Sequence, residues 1–354
     1  MTSSSLTYAR TASLTLSPRC VNQCGFCPFP LRRYRAVPSL KRWRQWLRAA
    51  RPWEPTTLHI TGGEPLTKDR DVLQTVRYYG HSDAIDYLGS LLAVAQEEHH
   101  GALLPSLELG ELRRADLQRL RHHIAEYVVG IVPFDPALFG TALLWNAPTM
   151  VPPRRLDLIQ MLGQLRIPTT INMLIGLGEC ESSRLQTLAA LAEVHARRGH
   201  LQWVRITPFQ PHPETPMENH PAPDPDEIVR TVRQATEILG AIPVQVPALD
   251  VADSVERCVD AGAQDLGPVV VDPAHDLMDA ARRWGEIERR LIAQGHRLVE
   301  RLPLTESSVA RGMCPETLCP NITFQLDRLE ARHVHHIPAP ARGAEADHRA
   351  EASA

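Results

Sequence analysis

Short apolar runs alternate along the chain with longer amphipathic ones. The runs "SLTLS" (13–17), "TLHIT" (57–61), "ALLPSLEL" (102–109), "YVVGIV" (127–132), "TTINMLIG" (169–176), "LQWVRI" (201–206), "IPVQVP" (242–247) and "LGPVVV" (266–271) are aliphatic or β-branched and bounded by Gly, Pro or polar residues. That is the pattern of short strands. Helices are predicted between them near 39–50, 82–98, 111–123, 154–165, 182–198, 225–239, 252–262 and 276–294. The one at 225–239 carries a start signal: Asp224-Pro225 precedes "DEIVRTVRQATEIL", with acids in its first turn. Eight strands, each followed by a helix, predict an α/β fold, a (β/α)8 TIM-type barrel over residues 12–303. An N-terminal extension (1–11), a C-terminal extension (304–330) and a polar, Ala/Pro-rich, disordered tail (331–354) complete the expected organisation.

Composition narrows the function classes. With 354 residues, 43% of them hydrophobic, the chain can bury a large core, and with 5% aromatics aliphatic side chains must do most of the packing. A formal net charge of −3 gives no basic surplus to attract nucleic acid. No apolar run approaches the roughly 20 residues of a membrane helix. The first residues lack a signal-peptide pattern, so a cytoplasmic location is expected. There, seven cysteines argue for metal or redox chemistry rather than disulfides. His333, His335 and His336 could bind a metal, although a solvated tail is the simpler reading.

Three of those cysteines, Cys20, Cys24 and Cys27, crowd into "CVNQCGFC", directly after the first predicted strand. In a barrel of this type that is the functional rim. Thiolates bind soft metals. A structural zinc site wants four closed ligands, and no second cysteine pair is obvious nearby. A [4Fe–4S] cluster also takes four ligands. Three on one loop leave one iron open, and an open iron can chelate the amino and carboxylate groups of S-adenosylmethionine (SAM). Gly25 lets the loop bend so that three side chains converge. In "ITGGEPL" (60–66), Gly62 and Gly63 allow close backbone approach to a ligand, and Glu64 with exposed main-chain groups can hold an ammonium.

The spacing C-x3-C-x2-C resembles the signature of the radical SAM enzymes, and "GGE" at 62–64 resembles the motif by which they contact the methionine amino group. "MLIGLGE" (173–179), with Gly176 and Glu179, is similar to the family's glycine-containing stretch beside the adenosyl moiety; an ordinary strand–turn–helix junction would read the same way. Phe26 matches the aromatic position near adenine. Within the superfamily, "CVNQCGFC" fits C-x-N-x-C-x-[FY]-C of the branch that includes the deazaflavin synthase subunits CofG and CofH. "YYGHSDAIDYL" (78–88), "APTMVPPRRL" (147–156), "GHLQWVRITPFQPHPETPM" (199–217) and "DAGAQDLG" (260–267) resemble CofG in order and spacing, over roughly residues 12–303. The resemblance implies a synthase or lyase with a [4Fe–4S] cluster and SAM. It also implies hydrogen abstraction from a small polar substrate and C–C bond formation on a ribityl diaminouracil. An external one-electron donor such as ferredoxin or flavodoxin, and a CofH-like partner enzyme, come with it.

Departures from CofG fall where substrate and ribose should lie. "GIVPFDP" (130–136) has Pro133 near an expected carboxylate, for which Asp135 could substitute. "RITPF" (205–209) introduces Arg205, whereas Arg155 matches a family arginine able to grip the cofactor carboxylate, with a helix-surface arginine as the equal alternative. These changes favour, as an alternative, a CofG-like paralogue in a specialised pathway. A non-catalytic iron–sulfur or zinc protein is the remaining class, and the amino-binding turn argues against it. His81, Arg205 and Asp265 are candidates to orient substrate or move a proton, as are Asp83 and Glu108, with caps and ion pairs as the simpler roles. Cys314 and Cys319 form a C-x4-C pair that could join Cys258 or Cys180 in a second metal site, though ordinary cysteines are the favoured reading.

Overall fold

The computed structural model describes residues 5–29, 37–64, 66–141, 143–272 and 277–331. The expected tail beyond Ala331, with its three histidines, lies outside the described residues. Eight parallel strands close into a barrel: β1 (Ser5–Thr15), β2 (Thr57–Thr61), β3 (Leu104–Glu108), β4 (Glu126–Ile131), β5 (Thr169–Ile175), β6 (Leu201–Pro208), β7 (Val244–Gln245) and β8 (Asp265–Val271). β1 closes the ring, pairing with β8 on one edge and β2 on the other. A ninth strand, β9 (Arg297–Glu300), pairs with Ser5–Tyr8 of β1.

The helices pack outside: α1 (Leu40–Ala50), α2 (Arg70–Tyr78), α3 (Ala84–Glu98), α4 (Arg114–Leu120), α5 (Pro152–Gln164), α6 (Glu181–Arg198), α7 (Pro225–Leu239), α8 (Val255–Asp260) and α9 (Leu277–Ala293). Asp69, Asp83 and Asp224 cap α2, α3 and α7 by accepting backbone N–H bonds in the first turn. Past β9, α10 (Glu306–Ala310) and α11 (Cys319–Ala331) cover the N-terminal end of the barrel, where Leu318, Ile322, Leu326 and Leu329 pack on Leu104 and Ala125.

Side-chain alternation decides what the barrel can do. Leu58 and Ile60, Val129 and Ile131, Ile171 and Met173, Val204 and Ile206 point outward into the main hydrophobic core beneath the helices. The inward set is Thr57, His59 and Thr61, Ser106 and Glu108, Glu126, Asn172 and Arg205, which line two stacked interior cavities. Barrels of this kind usually fill their interior with branched aliphatics. Here the lumen is polar and in part open.

Several boundaries differ from expectation for physical reasons. Residues 5–11, expected to precede the barrel, form the first half of β1. Their Ser and Thr content reads as a polar lead-in, but this half faces β8 and β9. β7 shrinks to two residues because Pro243 and Pro247 flank it and cannot donate to a ladder. Helix α2 is additional to the predicted set; Val72 and Val76, one turn apart, are its buried face. At the lower end of the lumen Asp265 receives Arg301 Nη2 at 2.9 Å, Arg301 Nε, the Thr7 hydroxyl and Gly267 N–H at 2.8 Å. Asp265 therefore joins β1, β8 and the segment after β9 rather than meeting a substrate.

Candidate active site

The cysteine loop leaves the C-terminal end of β1 and is tied down on three sides. Gly63 N–H donates to Ser17 O at 2.8 Å and Val21 N–H to Glu64 O at 2.6 Å. Gln23 and Gly25 N–H donate to Asn146 O and Leu143 O, each at 2.8 Å, and Met217 N–H donates to Gly25 O at 3.1 Å. Buried Asn22 donates to Glu64 Oε1 at 2.9 Å and Thr149 Oγ1 at 2.5 Å, and accepts from Thr149 N–H at 3.1 Å. Around Cys24 an apolar cluster of Leu143, Leu144, Met150, Leu177 and Phe209 seals the rim.

All three cysteines line one cavity of about 260 Å³, together with Phe26, Gly62, Gly63, Glu64, Glu108, Arg155 and Asn172. Glu64 N–H reaches Cys20 Sγ at 3.4 Å. Burial pushes the Cys20 and Cys24 thiols up, and Cys24 is raised further by the neighbouring Cys27 and Cys20 sulfurs. Cationic iron would reverse that sign, since a coordinating thiol is deprotonated outright. Among the described residues no three His, Cys, Asp or Glu groups converge tightly enough for a single ion. A cluster takes one thiolate per iron, and the three cysteines all line this cavity. Three thiols that leave one iron open are a donor set that fits such a cluster.

Glu64 is buried and fully bonded. Arg155 grips both its oxygens, with Nη1 at 3.1 Å from Oε2 and Nη2 on Oε1, and Glu111 N–H donates to Oε2 at 2.7 Å. Arg155 Nε is buried without a hydrogen-bond partner. At Gly63 there is no room for a side chain: an added Cβ would sit 2.7 Å from Cys20 Cβ and closer still to the Arg19 carbonyl. Gly63→Ala should therefore displace the loop at Cys20, costing about 1–3 kcal/mol. Iron retention and a urea denaturation curve read this; an unchanged iron content would refute the crowding argument.

With this geometry in place, comparison with known proteins decides the family. A profile of the Radical SAM superfamily matches residues 14–191. The chain belongs to the radical SAM superfamily. It is 30% identical over 321 residues to the 7,8-didemethyl-8-hydroxy-5-deazariboflavin synthase of Methanopyrus kandleri, covering 87% of this chain and 93% of the relative. To the synthase of the same name from Methanoculleus marisnigri it is 32% identical over 333 residues, covering 92% and 96%. The fold is shared with the FeFe-hydrogenase maturase HydG of Carboxydothermus hydrogenoformans (TM-score 0.65, 17% identity, 92% of this chain and 72% of that one). It is shared also with methylornithine synthase PylB (TM-score 0.59, 15% identity, 86% of each). Membership makes the chain a radical SAM enzyme, of a family that uses a [4Fe–4S] cluster, SAM, a small-molecule substrate and an electron donor. No helix among the described residues is long and apolar enough to cross a membrane.

Not every residue expected at a radical SAM site reaches the cavity. Gly176 and Glu179 do not line it. Glu179 accepts from Gly176 N–H at 2.9 Å and Leu177 N–H at 2.7 Å and pairs with Arg184 at 3.4 Å, so it shapes the turn after β5. Gly176 has a φ of 87° and sits against Pro223, leaving a Cβ no space. His81 lies between α2 and α3, 3.8 Å from Asp86 and edge-on to Tyr87, apart from the lining residues. Arg205 lines the lower cavity and donates to Gln245.

Asp135 does not replace the carboxylate missing near Pro133. Its oxygens accept from Ala137 N–H at 2.9 Å and Cys180 N–H at 2.8 Å, tying the loop after β4 to the start of α6. Those two N–H bonds hold its carboxyl down at about 2. Its contribution is complete above the unfolded value of about 4 and is lost as pH falls through about 2. Asp135→Ala should cost roughly 1–2 kcal/mol at pH 7, and less as the pH of a denaturation series approaches 2. A cost that does not shrink in acid would refute this role.

Cys314 and Cys319 lie against each other, but neither Cys258 nor Cys180 joins them in a metal-holding group among the described residues. Cys314 and Cys319 both approach Pro315 O, at 3.7 and 3.8 Å, beside the segments that cover the N-terminal end of the barrel. Cys258 is buried in α8, and Cys180 is exposed at the start of α6 against Ser182 and Ser183. Sequence reasoning missed His59 and Asn172, both inside the lumen. The signal was available in "TLHIT", whose polar Thr57, His59 and Thr61 alternate with Leu58 and Ile60.

Proposed function

We propose that Cys20, Cys24 and Cys27 hold a [4Fe–4S] cluster and that the cavity beneath them takes SAM above a small polar substrate. The reaction is of the 7,8-didemethyl-8-hydroxy-5-deazariboflavin synthase type, with C–C bond formation on a ribityl diaminouracil. When bound, cluster and SAM supply one-electron cleavage and hydrogen abstraction; the chain binds, orients and shields. The Gly62–Gly63 turn brings main-chain carbonyls to the cavity for the methionine ammonium. Arg155, with Nε unpaired, is the donor for its carboxylate, and Phe26 packs near adenine. Gly176 and Glu179 act by setting the adjoining turn. The supply of electrons by ferredoxin or flavodoxin, and of an intermediate by a CofH-like partner, belongs to the same reading.

The observation that carries it is one cavity roofed by three thiols and a GGE turn and floored by a polar lumen. Anaerobic reconstitution should give roughly four irons per chain, and reduction with SAM should yield 5′-deoxyadenosine. Adding a CofH partner, tyrosine and ribityl diaminouracil should give a fluorescent deazaflavin. SAM cleavage without that product would favour a second reading, a CofG-like enzyme for another polar substrate. Arg205 in the lumen, and the lack of a replacement carboxylate from Asp135, favour that second reading. Zinc binding with no SAM cleavage would overturn both.

A further inference from the structure

The lumen contains a buried acid–base pair that the reading above leaves unused. Of the charged groups lining the upper cavity apart from the cysteines, Glu64 and Arg155 bind each other. Glu108, the last residue of β3, is the other carboxylate among the described lining residues. Its Oε2 lies 3.2 Å from His59 Nε2, and its Oε1 receives a long 3.4 Å contact from Asn172. The side chain is 23% exposed. Gly130, beside it, carries no side chain, and a Cβ there would stand 3.2 Å from Oε1. That oxygen is open to a ligand in the cavity.

Hydrogen-bond directions fix where protons sit. Ser106 has one hydroxyl proton and gives it to the Glu126 carboxylate at 2.8 Å, while Thr170 donates to the other Glu126 oxygen at 2.7 Å. Ser106 can then only accept from His59 Nδ1, 3.2 Å away, so Nδ1 carries a proton. The second ring nitrogen faces Glu108. A bare lone pair against a carboxylate is repulsive, so one proton lies between them. The pair is either imidazolium with carboxylate or imidazole with carboxylic acid. Burial pushes the Glu108 carboxyl up, but the His59 hydrogen bond and charge, the Arg205 charge and the Asn172 amide bring it below its ordinary value. That balance favours Glu108 as the carboxylate.

We propose that His59 and Glu108 form an imidazolium–carboxylate pair and that Glu108 is the base for a substrate N–H or O–H held in the lumen. The proposal rests on the reading of this cavity as the substrate site. In the step, the substrate X–H bond breaks, its electron pair stays on X and the proton passes to Glu108 Oε1; no oxidant or reductant is needed. His59 is the positioning residue. The titratable and charged groups around the pair are Glu126 and Tyr127 from β4, Arg205 from β6, and Asp265 with Arg301 at the lower end. The ligand class is a polar heterocycle or polyol with an exchangeable proton, because an apolar one would strand Glu108, Asn172 and Thr61.

Histidine-15N spectra of the full chain with its cluster oxidised read the pair directly, with the His59 signal assigned by its loss in His59→Gln. Both ring nitrogens of His59 should be protonated at pH 7, and the ring should turn neutral in Glu108→Gln. A neutral His59 in the native chain overturns the proposal. Turnover is the second readout. Glu108→Gln should lower kcat for product about 100-fold or more. In His59→Gln the acid limb of the pH profile should move to higher pH, because Glu108 loses the partner that holds it low. A Glu108→Gln enzyme within about threefold of native kcat, or an unmoved profile in His59→Gln, overturns it. A native chain that cleaves no SAM defeats the functional reading instead, and the histidine spectrum still decides the pair.

Discussion

Replacing Cys24 with Ala is expected to drop bound iron from roughly four per chain to below one and to remove SAM cleavage. Cys24 is the most enclosed of the three thiols, 8% exposed, and it sits inside the apolar cluster of Leu143, Leu144, Met150 and Leu177. Taking away its sulfur leaves two thiols on a loop whose backbone is otherwise anchored by Gly63, Val21, Gln23 and Gly25. The fold should survive, because one buried sulfur is a small part of the core; a loss of about 1–2 kcal/mol is expected. Cys258→Ala and Cys314→Ala serve as matched controls, since neither residue lines the cavity. Iron and sulfide assays, with 5′-deoxyadenosine measured by chromatography, check all three variants. Full iron in Cys24→Ala together with loss in Cys314→Ala would move the cluster to the other end of the barrel and sink the site.

Much of the barrel is legible in the apolar half of each strand. Leu58 with Ile60, and Ile171 with Met173, mark strands because they face the helices, and that outward face repeats around the ring. What escapes lies mostly on the inward face. The first half of β1 reads as a polar leader because its Thr and Ser residues have partners only once β8 and β9 close beside them. His59 looks incidental because a lone His in a strand has no local signature; its partners, Ser106 and Glu108, are more than forty residues away in sequence. The cysteine loop is legible for the opposite reason. Its chemistry is written in eight consecutive residues, and the barrel type places it on the rim. Glu179 and Asp135 show the limit of motif reading: a carboxylate at the expected place can be consumed by backbone N–H groups of its own turn or of a neighbouring helix. Asp265 shows the same limit for a pocket candidate. Its partner Arg301 comes from beyond the eighth strand, where no site residue was expected.

Arg155→Met should be the most destabilising single change in the site, costing about 3–5 kcal/mol. Arg155 and Glu64 are 3% and 7% exposed, and the guanidinium covers both carboxylate oxygens. With Arg155 gone, Asn22 and Glu111 N–H still donate to Glu64, but neither cancels its charge. The penalty comes from the stranded carboxylate more than from the lost bond, which makes it testable by a cycle. Glu64→Gln in the Arg155→Met background removes the stranded charge while keeping an acceptor oxygen for Asn22, so much of the stability should return. The effect should also travel to the cluster. Glu64 N–H reaches Cys20 and Glu64 O accepts from Val21, so a displaced Glu64 loosens the first thiol of the loop. Urea denaturation of the single and double variants, with iron content measured alongside, separates the two consequences. If Arg155→Met costs under about 1 kcal/mol, the pair is not acting as a buried one. If the double variant is no better than the single, the loss lies in packing of the arginine stem rather than in charge. Recovery of stability in the double variant without recovery of SAM binding would locate the remaining role of Arg155 in gripping the cofactor, because the amide introduced by Glu64→Gln keeps the Asn22 hydrogen bond but supplies no cation.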